Sequence, residues 1–253
     1  MLLCDDDAVY TEVTGDGQPV LMLHGAGVSG WMWKPVLDQL GQTARAMTPD
    51  LPGFGRSAHR PYVSHQVTVQ ELEGVLASHA PQGAHVVGFS LGAQLAILLA
   101  SRAPHLVRSV IVISAEAKPA PLPGPTLALL RLAAPLSRQK WFATAQARQL
   151  GIPEHLLEEY LRDSKTTSHR TLLASVGENI RFTLPAAWSD YPAPATVLVG
   201  ARERKLMRES AKVTASALPG SILHTVEHAA HDIPLRQPHI IADTINRHIA
   251  DFE

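Results

Sequence analysis

Gly88-Phe89-Ser90-Leu91-Gly92 follows a short β-type run, Ala84-His85-Val86-Val87, and precedes an apolar helical run from Ala93 to Ala100. A strand that turns sharply into a helix with Ser at the apex is the nucleophile-elbow arrangement. The apex demands unusual backbone angles, and strand and helix pass too close for side chains at Gly88 and Gly92. The turn is expected to push the Ser90 hydroxyl out at the carboxyl end of a strand. It also leaves the Leu91 N–H at a helix N-terminus, where it can donate to an anion. Five residues recur by chance, so the remaining chain has to supply partners for the Ser.

Working outward, the chain alternates buried strands and helices. Val9 to Val13 alternates polar and apolar residues, and Thr14-Gly15-Asp16-Gly17-Gln18-Pro19 is turn chemistry. These stretches predict an antiparallel hairpin leading into the buried strand Val20-Leu21-Met22-Leu23. The small-residue loop His24-Gly25-Ala26-Gly27-Val28-Ser29-Gly30 allows backbone to approach a ligand, and Trp31-Met32-Trp33 opens a helix to about Leu40. Ala44–Thr48 reads as a strand, Asp50–Ser57 as a rigid Pro/Gly loop, Val67–Ala77 as a helix and Ser109–Ile113 as a strand. Residues 116–190 break the rhythm. After the proline-rich Lys118–Pro125 they carry only helical patterns: Leu127–Leu132, Glu154–Leu161 and His169–Ile180. The alternation resumes with the strand Ala195–Gly200, a helix around Met207–Leu218, the strand Ser221–Val226 and a helix from Pro238 to about Ile249. This pattern predicts a mainly parallel sheet covered on both faces, with ligands at the carboxyl ends of its strands.

A Ser hydroxyl becomes a nucleophile when a base takes its proton and an acid orients that base. Of the 13 histidines, His231 is the best-placed base, following the strand Ser221–Val226 and preceding the Pro238 helix; His228 is its nearest competitor. Two carboxylates sit just past strands as candidate acids: Glu203 after Ala195–Gly200, and Glu116 after Ser109–Ile113. Asp50 is also at a strand end, but its loop fits an acid that accepts backbone N–H groups. His228 and His231 lack a third ligand at supportive spacing, so no metal is expected. Nothing in the chain calls for a cofactor.

The bulk properties bound the partners. The chain has 253 residues, a net charge of −1, 45% hydrophobic and 5% aromatic residues, which fits one large domain or a core with an insertion. No basic block or aromatic platform suits nucleic acid. The one cysteine, Cys4, rules out an internal disulfide and fits a reducing compartment. The N-terminal stretch has no basic, apolar targeting pattern, and no apolar run approaches the roughly 18–20 residues of a membrane span. A cytoplasmic protein acting on a small molecule is expected. Its oligomeric state is not written in the sequence.

With these pieces together, the chain resembles the α/β-hydrolase superfamily along nearly its whole length. The resemblance rests on His24-Gly25-Ala26-Gly27, Asp50-Leu51-Pro52-Gly53-Phe54-Gly55-Arg56-Ser57, Gly88-Phe89-Ser90-Leu91-Gly92, and Ala230-His231 leading to Pro238. It implies an eight-stranded-type sheet forming a core from residues 1–115 and 191–253, with residues 116–190 as a helical cap. It further implies Ser90 as nucleophile, His231 as base, and an oxyanion hole from the Ala26 and Leu91 N–H groups. The family usually has Asp where this chain has Glu203, one methylene longer; Glu116 remains the alternative acid. Ser rather than Asp at the elbow sets the chain apart from haloalkane dehalogenases and epoxide hydrolases and favours acyl transfer. The expected reaction is hydrolysis of a small ester, lactone or thioester. The same triad also serves C–C hydrolysis, cofactor-free perhydrolysis and amide cleavage, and some proteins of this fold act as ligand receptors. Trp31 and Trp33 fit core packing for at least one of the pair, and Trp141 with Phe142 are candidate pocket residues.

Overall fold

The structure is a computed structural model that describes residues 8–133, 136 and 139–252. Cys4 and the rest of the N-terminal stretch 1–7, on which the compartment and targeting expectations rest, lie outside the described residues. In chain order the elements are β1 (Thr11–Thr14), β2 (Gln18–Leu23), α1 (Lys34–Leu40), β3 (Ala44–Pro49), α2 (His65–His79), β4 (Ala84–Phe89), α3 (Leu91–Arg102) and β5 (Val107–Ile113). The helices α4 (Pro123–Ala133), α5 (Lys140–Gln149), α6 (Leu157–Thr166) and α7 (His169–Asn179) follow. The chain then returns to β6 (Ala195–Gly200), α8 (Lys205–Ser216), β7 (Ile222–Val226), α9 (Ile233–Arg236) and α10 (Pro238–Ala250).

The seven strands of the described residues form one sheet in the order β1-β3-β2-β4-β5-β6-β7, parallel except for β1. It is one strand short of the expected eight-stranded type and otherwise has the expected architecture. Strand β2 is buried on both faces because its residues alternate between two cores. Leu21 and Leu23 join α2, α3 and α8 on one side, while Val20 and Met22 join α1 and α10 on the other. That two-sided burial explains why the parallel strands read as continuous apolar runs.

The predicted β1–β2 hairpin does not form. Strand β1 pairs antiparallel with β3 (Glu12 opposite Thr48), and β3 inserts between β1 and β2. The turn between them crosses the start of β3 so closely that a Cβ on Gly17 would stand 2.0 Å from the Thr43 carbonyl oxygen. Glycine makes this crossing possible. Alternating hydrophobicity revealed the strand but not its partner.

The direction of strand succession reverses between β2 and β4, and at such a switch the loops leaving the two strands diverge and open a crevice. The loops after β2 and β4 are the His24–Gly30 loop and the Ser90 turn. Between β5 and β6 the described residues contain helices and no strand. Helix α4 packs against α7 and α5 against α6, and Ala143, Ala147 and Tyr160 join the core that contains α1 and α10.

Candidate active site

The elbow forms as the sequence predicts. Ser90 has φ 54° and ψ −112°, a region that costs a non-glycine residue free energy and persists only under tight surroundings. Those surroundings are visible. The Ser90 N–H donates to the Ile113 carbonyl at 2.8 Å. A Cβ on Gly88 would lie 2.2 Å from the Gly92 carbonyl oxygen, and one on Gly92 would lie 2.2 Å from that of Leu23. The glycines therefore let α3 start directly against the ends of β4 and β2, and the Ser is held at the apex.

Three loops at the carboxyl ends of the strands bring side chains to Ser90. His231, after β7, has Nε2 3.1 Å from Ser90 Oγ and Nδ1 3.1 Å from Glu203 Oε2. Glu203, after β6, is buried, and its other oxygen accepts a hydrogen bond from the Ser114 hydroxyl. The ring of Phe89 lies 4.7 Å from that of His231, centroid to centroid, and supports the imidazole from below. The carboxylate that meets His231 is thus that of Glu203. Glu116 accepts instead from Arg204 Nη2 at 3.1 Å. Burial pushes its carboxyl above the ordinary carboxylate range, with the nearby Glu203 charge adding to that rise and Arg204 and His231 opposing it.

Ser114 was not singled out in the sequence. It sits one residue past β5 with φ 55°, a left-handed conformation that aims its hydroxyl across at Glu203. A lone Ser at a strand end carries no signal; only the pairing of β5 with β6 brings it to the acid.

The loop after β2 is fixed from behind. His24 Nε2 accepts from the Leu51 N–H at 2.8 Å, and its Nδ1 lies 2.7 Å from the Gly25 carbonyl, so Nδ1 carries the proton. Burial lowers the pKa of His24, with the Asp50 charge partly opposing that effect. Asp50 accepts from the Gly30 and Arg56 N–H groups at 2.7 and 2.8 Å, the loop-organising role expected of it. Trp31 and Trp33 are both buried, and neither lines the space beside Ser90. Trp31 Nε1 donates instead to Asp163 Oδ2 of α6 at 2.7 Å, tying the helical segment to the sheet. Trp141 is 66% exposed and packs edge-on against Phe142, and neither lines a cavity beside His231. The inward face of α5 carries Ala143 and Ala147, and Trp141 falls on another side of that helix.

Two cavities adjoin the site, and both touch His231 and Leu150. One, of about 100 Å³, includes Ser90 and Ala26 and is walled by Val28, Met32, Phe89, Ile152 and Leu235. The other, of about 360 Å³, is walled by Gln146, Gln149, Arg202 and Arg204.

A family model described as the alpha/beta hydrolase family matches residues 20–244, a span that includes Ser90, Glu203 and His231. The chain belongs to the alpha/beta hydrolase family. Among curated relatives, it is 32% identical over 111 residues to the pimeloyl-[acyl-carrier protein] methyl ester esterase of Vibrio cholerae, covering 44% of this chain and 42% of that protein. The chain therefore spans less than half the length of that relative in the match. The enzyme of the same name from Methylococcus capsulatus is 26% identical over 235 residues, covering 88% of this chain and 91% of its own. Among solved structures, a thermophilic esterase from Thermogutta terrifontis superposes with a TM-score of 0.80 at 21% identity, over 96% of this chain and 93% of its own. That likeness is one of fold.

Proposed function

We propose that this family member is a serine hydrolase that cleaves small carboxylic esters through an acyl-enzyme on Ser90. The observation that carries the reading is the unbroken hydrogen-bonded line Ser114–Glu203–His231–Ser90, ending on a strained apex beside a cavity. The names of the relatives, methyl ester esterases, support a carboxylic ester as the bond cleaved.

The geometry supports the following sequence of steps. Ser90 Oγ attacks the ester carbonyl while its proton passes to His231 Nε2. Glu203 holds the Nδ1–H, fixes the tautomer and stabilises the imidazolium that forms. The Ala26 and Leu91 N–H groups receive the oxyanion, each worth roughly 3–4 kcal/mol of barrier lowering. Collapse of the tetrahedral intermediate expels the alcohol, which takes the proton from His231. Water then attacks the acyl-enzyme with His231 as base and restores the Ser90 hydroxyl. Residues 116–190 act as a cap over this site, and residues 1–115 and 191–253 form the core that builds it.

Hydrolysis of p-nitrophenyl acetate and butyrate tests the reading. Ser90→Ala is expected to lower kcat by about 10⁴-fold or more, as loss of the nucleophile of a cooperating triad does. Undiminished hydrolysis by that variant overturns the mechanism.

A further inference from the structure

The loop that delivers Glu203 to His231 also presents two arginines. In Gly200-Ala201-Arg202-Glu203-Arg204, Glu203 turns inward and is buried, whereas Arg202 and Arg204 on either side of it are exposed. The loop is pinned. The Ala201 and Arg202 N–H groups donate to the Val226 and Ala229 carbonyls, each at 2.9 Å. Arg208 of α8 donates to the Glu203 and Ala201 carbonyls at 2.5 and 3.2 Å. A backbone held this firmly fixes the stems of both arginines at the mouth of the site.

Both arginines wall the larger cavity, together with Gln146 and Gln149 of α5. Arg204 shares its charge with Glu116, yet its side chain remains 80% exposed. Arg202 meets no carboxylate among the described residues; its Nη2 donates to the ring Nδ1 of His228 at 3.3 Å. The cavity of about 100 Å³ beside Ser90 is the smaller of the two and is walled mainly by apolar side chains, Val28, Met32, Phe89, Ile152 and Leu235. His231 and Leu150 line both spaces, so an ester at Ser90 with one end in the smaller space has the larger one as its neighbour past these two residues.

We propose that Arg202 and Arg204 select the substrate: an ester with a short apolar group on one side of the scissile bond and an anionic group on the other. The inference rests on the serine hydrolase reading above and adds the substrate class. Planar guanidinium groups match carboxylates and phosphates, and a mouth open to water keeps the effect moderate and sensitive to salt.

Two series of esters separate the two possible positions of the charge. Methyl half-esters of succinic, adipic and suberic acid carry the anion on the acyl side, and the acetyl esters of the matching ω-hydroxy acids carry it on the alcohol side. Each is compared with its uncharged counterpart of equal length. For at least one series, kcat/KM of the charged ester is expected to exceed that of the neutral one by about 3- to 10-fold. Arg202→Gln brings that ratio towards one, Arg202→Glu takes it below one, and salt well above physiological strength shrinks it. Using the ratio cancels any general loss of activity in the variants. A wild-type ratio of one or less in both series, or a ratio unmoved in Arg202→Glu, overturns the inference while Ser90-dependent hydrolysis keeps the mechanism standing. Absence of any Ser90-dependent hydrolysis removes both.

Discussion

At the rim of the sheet, a Cβ on Gly88 would collide with backbone at 2.2 Å, whereas a Cβ on Gly124 in α4 would meet nothing within 4 Å. The same contrast runs through both regions. Around Ser90 every group is held by a strand end, a buried hydrogen bond or a glycine contact, while Leu129 and Leu132 on α4 are 69% and 79% exposed. The strand ends hold Ser90, Glu203 and His231 in a hydrogen-bonded line. Within the helical segment, α4 leaves its leucines to solvent, while α5 and α6 seat Ala143, Ala147 and Tyr160 in the core beside α1 and α10 and Asp163 accepts from Trp31.

The largest expected effect tests the tight region. Glu203→Gln keeps the shape but offers His231 Nδ1 an uncharged partner that also favours the wrong tautomer. A fall in kcat of about 10³- to 10⁴-fold is expected. Glu116→Gln should change kcat by less than about tenfold, since it removes a neighbouring charge and no direct hydrogen bond to His231. Ser114→Ala falls between them, at about 10- to 100-fold, the value of a hydrogen bond to a charged group. Steady-state kinetics on one ester ranks the three, and an equal loss in Glu116→Gln and Glu203→Gln would break the distinction.

Next in size is Gly88→Ala. The added methyl meets backbone rather than a movable side chain, so relaxation requires the strand and helix to separate. A loss of about 3 kcal/mol is expected in urea unfolding. A loss under about 1 kcal/mol would show that the rim yields more readily than its contacts indicate.

The tie between the two regions gives a pH test. Burial raises the Asp163 carboxyl from its ordinary 3.8 to about 6, against the lowering effect of hydrogen bonds from Trp31 and Ser29; the Asp50 charge adds to the rise and Arg162 opposes it. The folded chain therefore retains a proton there that the unfolded chain has released, and stability falls as pH rises from about 4 to about 6. Asp163→Asn lacks that proton, so relative to wild type it should gain up to about 3 kcal/mol across this window. Trp31→Phe removes one of the two side-chain donors to the buried carboxylate, leaving Ser29, and should cost about 1–3 kcal/mol near neutral pH. Thermal unfolding between pH 4 and 7 reads both, and parallel curves for wild type and Asp163→Asn would remove Asp163 from the balance.

The contrast also explains what the sequence made legible. The elbow, the His24 loop, His231 and Glu203 announce themselves because their constraints are local: a glycine beside the apex, a turn after an apolar run, an order along the chain. The pairing of β1 with β3 and the aim of Ser114 depend on neighbours distant in sequence, so neither leaves a local mark. Helix α5 escaped because its buried face consists of two alanines, Ala143 and Ala147, too small to print a hydrophobic period. For the same reason Trp141 looked like a pocket residue: an aromatic residue stands out in sequence whichever side of the helix it occupies.

The smallest expected effect tests the loose region. Gly124 lies in the first turn of α4, exposed, with open space where a Cβ would be. Alanine there restricts the unfolded chain and meets no clash in the folded one, so stability should rise by about 0.5 kcal/mol. The sign matters more than the size. The same Gly→Ala change at position 88 should destabilise by several times as much, because there the methyl meets backbone while at 124 it meets solvent. If Gly124→Ala also lowers stability, α4 is held against a neighbour more closely than its exposed leucines imply. The cap proposed for residues 116–190 would then include an α4 packed as firmly as the sheet rim.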